Sequence, residues 1–162
     1  MEYLNEQNMQ SESGNVTFIR KKLVESTTDV NHYKLEFGVY TQLSNINLCI
    51  VNIHLDDLSS KTRYNQLLSV QELLYRTKKC IMGGDFNQPY RKNTKIYNLP
   101  NFTTHNLNCP TYYIEKKMNI DNILTRGFRC KYNEDDCVEY PGSMEEGFQM
   151  YGSDHLPVIT YV

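Results

Sequence analysis

Residues 48–84 constrain the fold more than any other stretch. "LCIVNIH" (Leu48–His54) is an apolar run of strand length, of the kind that suits a strand covered on both faces. A polar link follows, with Ser59 or Ser60 placed to cap a helix. Tyr64, Leu67, Leu68, Gln71 and Leu74 then fall on one helical face. The helix is expected to end near residues 78–79, two lysines that suit a helix C-terminus. "CIMGG" (80–84) supplies a second short apolar strand. Strand, helix, strand in this order is a crossover unit whose strands run parallel and whose connection is right-handed. In such sheets ligands gather beyond the C-terminal strand ends. His54 stands at one such end and Asp85 at the next.

The rest of the chain is read around this unit. Residues 1–14 are polar and aperiodic, which predicts a flexible arm, and 15–162 are expected to form a single domain. "VTFIRKKLVE" (16–25) reads as a strand leading into a basic turn. In "YKLEFGVY", Tyr33, Leu35, Phe37 and Val39 alternate with Lys34 and Glu36, which predicts one strand. "LSNIN" is a turn, and Leu48–His54 should return antiparallel to the strand before it. Beyond Asn87, "QPYRKNTK" is a polar, basic loop and "NFTTHNLNCPTYY" a strand and turn. "MNIDNILT" (118–125) is strand-like, "KYNEDDCVEYPGSMEEGFQMYG" is loop, and "SDHLPVITYV" is a loop feeding a last strand.

Composition closes off several classes. With 162 residues, 40% hydrophobic and 22% charged, the chain fits an ordinary globular domain with one core. A net charge of -2 gives no global attraction to nucleic acid or anionic membrane, so such contacts need a local patch. No apolar run is long enough to insert into and cross a bilayer. The start, "MEYLNEQNMQSESGN", lacks the pattern of a signal peptide. An intracellular protein, cytoplasmic or nuclear, is expected. Cys49, Cys80, Cys109, Cys130 and Cys137 are odd in number and hold no C-x-x-C pair. That argues against a disulfide framework and a zinc site, and predicts buried or incidental thiols.

Four polar clusters adjoin strand-like segments: "VNIHL", "GGDFN", "NIDNIL" and "GSDHLPV". They hold His54, Asp85, Asn87, Asp121, Asp154 and His155. Carboxylates are hard oxygen ligands for Mg²⁺ or Mn²⁺. A histidine hydrogen-bonded to a carboxylate is held in one tautomer and can take a proton from water. An Asn amide can donate to a phosphoryl oxygen as charge builds there. Such a set suits metal-assisted hydrolysis of a phosphate ester. Each cluster also has a plainer reading: "GDFN" is a turn with Asp and Asn in turn roles, His54 is a structural histidine, and "SDH" and "IDN" are ordinary loop and strand.

In this order the clusters resemble the endonuclease/exonuclease/phosphatase family. This is the fold of pancreatic-type deoxyribonucleases, apurinic-site endonucleases, deadenylases, neutral sphingomyelinases and inositol polyphosphate 5-phosphatases. That family shows an N-T-H-L-like strand end, G-D-F-N, an I-D-Y-I strand and a closing S-D-H-x-P-V. Here the stretches are "NIHL", "GGDFN", "IDNIL" and "SDHLPV", and "NIHLDDLSSKTRYNQ" with Arg63 also resembles one subgroup. The resemblance implies an α/β (α+β) fold, a two-layer β-sandwich flanked by helices. It implies that His54 stabilises the attacked phosphate and Asp85 acts on the nucleophile or leaving group. Asn87 would hold a phosphoryl oxygen, Asp154 with Asp85 would bind the metal, and His155 would move a proton, oriented by Asp121. Arg91 and Lys92 are the candidate substrate-binding cations, with Lys95, Lys116 and Lys117 nearby. Tyr90, Tyr97, Tyr112 and Tyr113 interleave with them and suit stacking on bases. Solvated loops and core packing are the plainer readings of these cations and aromatics.

The front of the chain departs from the family. Complete members begin with a strand ending in a catalytic Asn, then a helix and a strand ending in a metal-binding Glu. The residues before Val16 leave no room for these, and Glu72, in "VQELL", reads as a solvated helix residue. An N-terminally truncated domain is therefore expected: a fragment, a relic, or a short member completed by self-association or a partner chain. Asn122 stands where the family has Tyr, with a local effect expected on packing or hydrogen bonding. The function expected is divalent-metal-dependent hydrolysis of a phosphodiester or phosphomonoester, nuclease-like, with nucleic acid as substrate. The alternative is an inactive truncated member acting as a binding or regulatory protein.

Overall fold

A computed structural model describes residues 15–25, 29–75, 77–91, 94–106, 109–112, 118–128 and 141–160. Six strands form one mixed sheet: β1 (Val30–Leu35), β2 (Gly38–Leu43), β3 (Leu48–His54), β4 (Lys79–Asp85), β5 (Thr103–Thr104) and β6 (Asp121–Arg126). Their order across the sheet is β1-β2-β3-β4-β6-β5. Only β3 and β4 pair parallel, joined by helix α2 (Ser60–Leu74), as the crossover unit requires. Two short helices flank the sheet in sequence, α1 (Lys21–Glu25) and α3 (Met144–Tyr151). The expected mixed α/β class is present.

The crossover forms for local reasons. The Ser59 hydroxyl accepts from the Thr62 N–H and caps α2. The helix buries Arg63, Leu67, Val70 and Leu74, a face turned slightly from the one expected, so Tyr64 and Leu68 stay exposed. It ends at Leu74, earlier than the lysines. Alternate residues of the strands, Cys49, Val51 and Ile53 on β3 and Cys80 and Met82 on β4, share one core with that helix face. Phe86, Ile96 and Tyr97 extend the core beyond β4.

The opposite face of the sheet is covered differently. Asn15 donates to the Asn52 side chain, and Asn52 donates to the Val16 carbonyl. These bonds lay the segment at residues 15–18 across β3. A cavity of about 540 Å³ remains on this face, lined by Phe18, Ile50, Ile81, Ile123, Leu156 and Val158 among others. Among the described residues one sheet is found, and no second sheet faces it.

Several local expectations are corrected. The alternating "YKLEFGVY" is not one strand: the chain turns at residues 36–37, and β1 and β2 pair antiparallel. Residues 21–25 are helical rather than a turn, and the strand expected at 16–20 is reduced to a single bridge residue, Phe18. The loop expected near residue 144 holds α3, capped by Ser143 and ended by Gly152 at a φ of 67°. Residues 156–160 form no strand. Cys49 and Cys80 are buried free thiols as expected, but Cys109 is disulfide-bonded. No helix among the described residues is long and apolar enough to cross a membrane.

Gly84 is the tightest point of the β3–β4 ladder. It has a φ of 135°, and a Cβ there would lie 1.9 Å from the Ile53 carbonyl oxygen. Neighbouring Gly83 would place its Cβ no nearer than 3.5 Å to any atom, an ordinary contact. Gly84→Ala should therefore cost about 2 kcal/mol or more, and Gly83→Ala less than about 1 kcal/mol. Urea unfolding of the two variants measures the difference, and equal midpoints would contradict this account.

Candidate active site

Strand register assembles the site. His54, the last residue of β3, pairs across the parallel ladder with Asp85, the last of β4. Asp85 in turn pairs with Asp121, the first residue of β6. Paired residues share a sheet face, so three adjacent strands set an imidazole and two carboxylates in one row. The fourth member comes from the C-terminal segment. His155 bridges to Tyr112, whose ring meets the imidazole edge-on at 5.3 Å, and the Leu156 N–H donates to the Thr111 carbonyl.

The polar geometry is tight. His155 Nδ1 lies 2.7 Å from Asp121 Oδ2, so Nδ1–H is the donor and Nε2 is left to face outward. That Nε2 is 3.9 Å from Asp85 Oδ2, and His54 Nε2 is 3.8 Å from the same oxygen. Asp85 Oδ1 accepts from the Asn87 N–H at 2.6 Å, an Asx turn, with Asn87 at a φ of 49°. Burial and then the charge of Asp121 raise the Asp85 carboxyl above its usual range. The hydrogen bond to Asp121 raises His155 against the opposing effect of its burial.

Further residues hold this arrangement; sequence reasoning names Arg63 and Asn122 among them, but not Thr111 or Asn106. Thr111 Oγ1 accepts from the Asp121 and Ile120 N–H groups and fixes the start of β6. The buried Arg63 guanidinium donates to the Asp56 and Asp57 carbonyls and to Gln88 Oε1, tying α2 to the loops after β3 and β4. Asn106 donates to the Asp121 carbonyl. Asn122, in the position where a Tyr was noted as usual, is fully buried and exchanges hydrogen bonds with the Asn106 backbone. The one available signal for these residues is polarity inside apolar segments, which does not name their partners.

The structure brings His54, Asp85, Asn87, Asp121 and His155 together. Ligand atoms of Asp85, Asp121 and His155 all lie within 4.8 Å of one another, which makes them a candidate metal group. Asp154 is half-buried beside His155 and stands outside that group. Asn87 Nδ2 already donates to the Leu55 carbonyl at 2.8 Å. Arg91 is exposed, whereas the Lys95 ammonium sits over the Tyr64 ring at 5.9 Å. Tyr97 is buried, packs on Phe86 and Tyr90, and donates its hydroxyl to the Gln88 carbonyl. These two tyrosines serve the core, and Tyr112 alone of the described tyrosines named above touches the site. Lys92, Lys116, Lys117, Tyr113, Cys130, Cys137 and the arm at 1–14 lie outside the described residues.

No protein-family profile matches the sequence, and no curated protein matches it. Solved structures do. A functionally unknown conserved protein from Enterococcus faecalis V583 is 17% identical with a TM-score of 0.48, over 65% of this chain and 56% of that one. An endonuclease/exonuclease/phosphatase family protein from Bacteroides thetaiotaomicron is 18% identical with a TM-score of 0.44, over 59% and 42%. The inositol polyphosphate 5-phosphatase domain of SPsynaptojanin, crystallised with inositol (1,4)-bisphosphate and calcium, is 14% identical with a TM-score of 0.47, over 66% and 49%. The chain thus spans about half the length of the structures it is similar to. The likeness concerns part of the fold.

The raised Asp85 carboxyl has a consequence for stability. The folded state disfavours its ionised form, so the cost is absent below the ordinary carboxylate value of 3.8 and complete once pH exceeds the raised value. Asp85→Asn keeps an Oδ1 acceptor for the Asn87 N–H. In chelator-treated protein, the melting temperature of this variant relative to wild type should rise as pH increases from about 4 to about 7. A constant difference across that range would show that Asp85 carries no such cost.

Proposed function

We propose that this chain is a divalent-metal-dependent phosphoester hydrolase, with nucleic acid the first substrate class to test. The observation that carries the reading is the Asp121–His155 pair with Nε2 turned toward Asp85. Carboxylates suit Mg²⁺ or Mn²⁺. Two half-buried carboxylates, one raised by its burial and then by the charge of the other, also favour a cation between them. Asp85 and Asp121 would hold it, with Asp154 close by, which leaves His155 Nε2 for proton transfer. When bound, it would stabilise charge on the phosphoryl oxygens.

The chain's own groups take the remaining roles. His155, oriented by Asp121, exchanges a proton with water or the leaving oxygen through Nε2. His54, exposed at the strand end, donates to a phosphoryl oxygen. Asn87 has a second amide hydrogen for the same purpose. Arg91, on the exposed side of the loop after β4, meets the anionic substrate. A second reading, phosphate-ester binding without turnover, is favoured by one observation: the Asn87 amide is already engaged by Leu55.

Hydrolysis of a chromogenic phosphodiester, single-stranded DNA, RNA and an inositol phosphate should be assayed with Mg²⁺ or Mn²⁺. His155→Ala and Asp121→Asn should each lower the rate by about 10²-fold or more. Asp154→Asn should weaken the metal-dependent rise in melting temperature. A metal-dependent rise without turnover on any substrate would establish the binding reading. Activity that survives both His155→Ala and Asp121→Asn would overturn the site.

A further inference from the structure

The hydrolytic site leaves a second polar cluster unused, at the opposite end of the same two strands. Cys49 of β3 and Cys80 of β4 are register partners. Both are fully buried, and both are free thiols. Neighbouring strands lie about 4.8 Å apart, inside the Cα separation of about 4.4–6.8 Å that a disulfide requires. Paired residues of a parallel ladder share a face, and both side chains enter the core beside Leu74. The Cα separation and shared face that an internal disulfide requires are therefore present.

Polar groups surround the two sulfurs in an otherwise apolar core. The Thr77 hydroxyl donates to Cys49 Sγ at 3.4 Å. Arg126 donates to the Leu74 and Thr77 carbonyls at 2.5 and 2.7 Å, and its charge favours a thiolate on either sulfur. Interaction with Cys80 and the Thr77 hydrogen bond lower the Cys49 thiol against its burial, whereas interaction with Cys49 and then burial raise that of Cys80. The Thr77 hydrogen bond, made to Cys49 alone of the two, marks Cys49 as the nucleophile and Cys80 as the resolving thiol. The pair lies one residue inside the strand starts at Leu48 and Lys79, and Lys79 is exposed. Local opening of the strand starts, where the Lys79 N–H donates to the Asn47 carbonyl, would admit a small oxidant.

We propose that Cys49 and Cys80 form a redox modification site, a thiol pair that a peroxide closes into a reversible disulfide between β3 and β4. The Cys49 thiolate attacks one peroxide oxygen, the O–O bond breaks, and the departing hydroxide takes a proton to leave as water. Cys80 sulfur then attacks the sulfur of the resulting Cys49 sulfenic acid. The S–O bond breaks, the S–S bond forms, and a second water leaves. Two thiols are oxidised, and one hydrogen peroxide is reduced to two waters. The linkage encloses α2 between two covalently joined strands, and it does not rest on the hydrolase reading.

The full chain, with its Cys109 bond intact, should be treated with hydrogen peroxide under native conditions. It is then denatured in N-ethylmaleimide, digested without reduction and mapped by mass spectrometry. The expected product joins the Cys49 and Cys80 peptides, two hydrogens lighter than their sum, and dithiothreitol separates them. The oxidised protein should melt several degrees higher than the reduced form, and neither Cys49→Ser nor Cys80→Ala should show that rise on treatment. Mapping the wild type needs no variant, so a variant that fails to fold leaves the test intact. Recovery of both cysteines as maleimide adducts would overturn the proposal. So would Cys49 found as sulfinic acid without linkage, or linkage only after unfolding.

Discussion

The parallel pairing of β3 with β4 is the constraint on which the rest of the structure depends. A parallel pair cannot close through a tight turn, so the chain must leave the sheet and return. Helix α2 is that return, and its apolar face becomes the lid of the core. The close approach at Gly84 lets the two backbones run alongside each other up to their last residues. The Leu55 N–H then donates to the Asp85 carbonyl, which carries the ladder one step past His54. Only because both strands end together do an imidazole and a carboxylate stand side by side. The antiparallel addition of β6 extends the row to Asp121.

Much of this was legible in residues 48–85, where apolar runs, a capping serine and glycines agree with one another. Elsewhere, local patterns misled for identifiable reasons. Alternation runs unbroken through "YKLEFGVY" because the turn at residues 36–37 happens to preserve it. Gly38 follows that turn, and a Cβ there would meet the Asn52 carbonyl oxygen at 2.1 Å, a contact no periodicity reveals. Helix α3 did announce itself: Ser143 accepts from the Glu146 N–H, the Glu146 carboxylate accepts from Gly142, and Gly152 follows the last turn. These signals lay inside a segment whose acidity and glycines read as loop.

The candidate site shows why single motifs are ambiguous. "GDFN" was read both as a turn and as part of a reactive cluster, and the structure makes the first description literal through the Asx turn. The turn is also what aims the second carboxylate oxygen at the two histidines. Its order along the chain paired "IDN" with "SDH", and the Asp121–His155 hydrogen bond joins them. The supporting residues, Arg63, Thr111 and Asn106, act through backbone carbonyls and amides, partners that a side-chain sequence pattern does not encode.

The four positions of the candidate site, His54, Asp85, Asp121 and His155, are spread along most of the chain. Every contact among them is therefore long-range, and closing each one costs loop entropy that local structure cannot repay. A collapsed chain with α2 docked would own the His54–Asp85 pair and nothing more. His155 finds its carboxylate only when the C-terminal segment has bridged to Tyr112. The site is thus complete only when the C-terminal segment and the whole sheet are in place together.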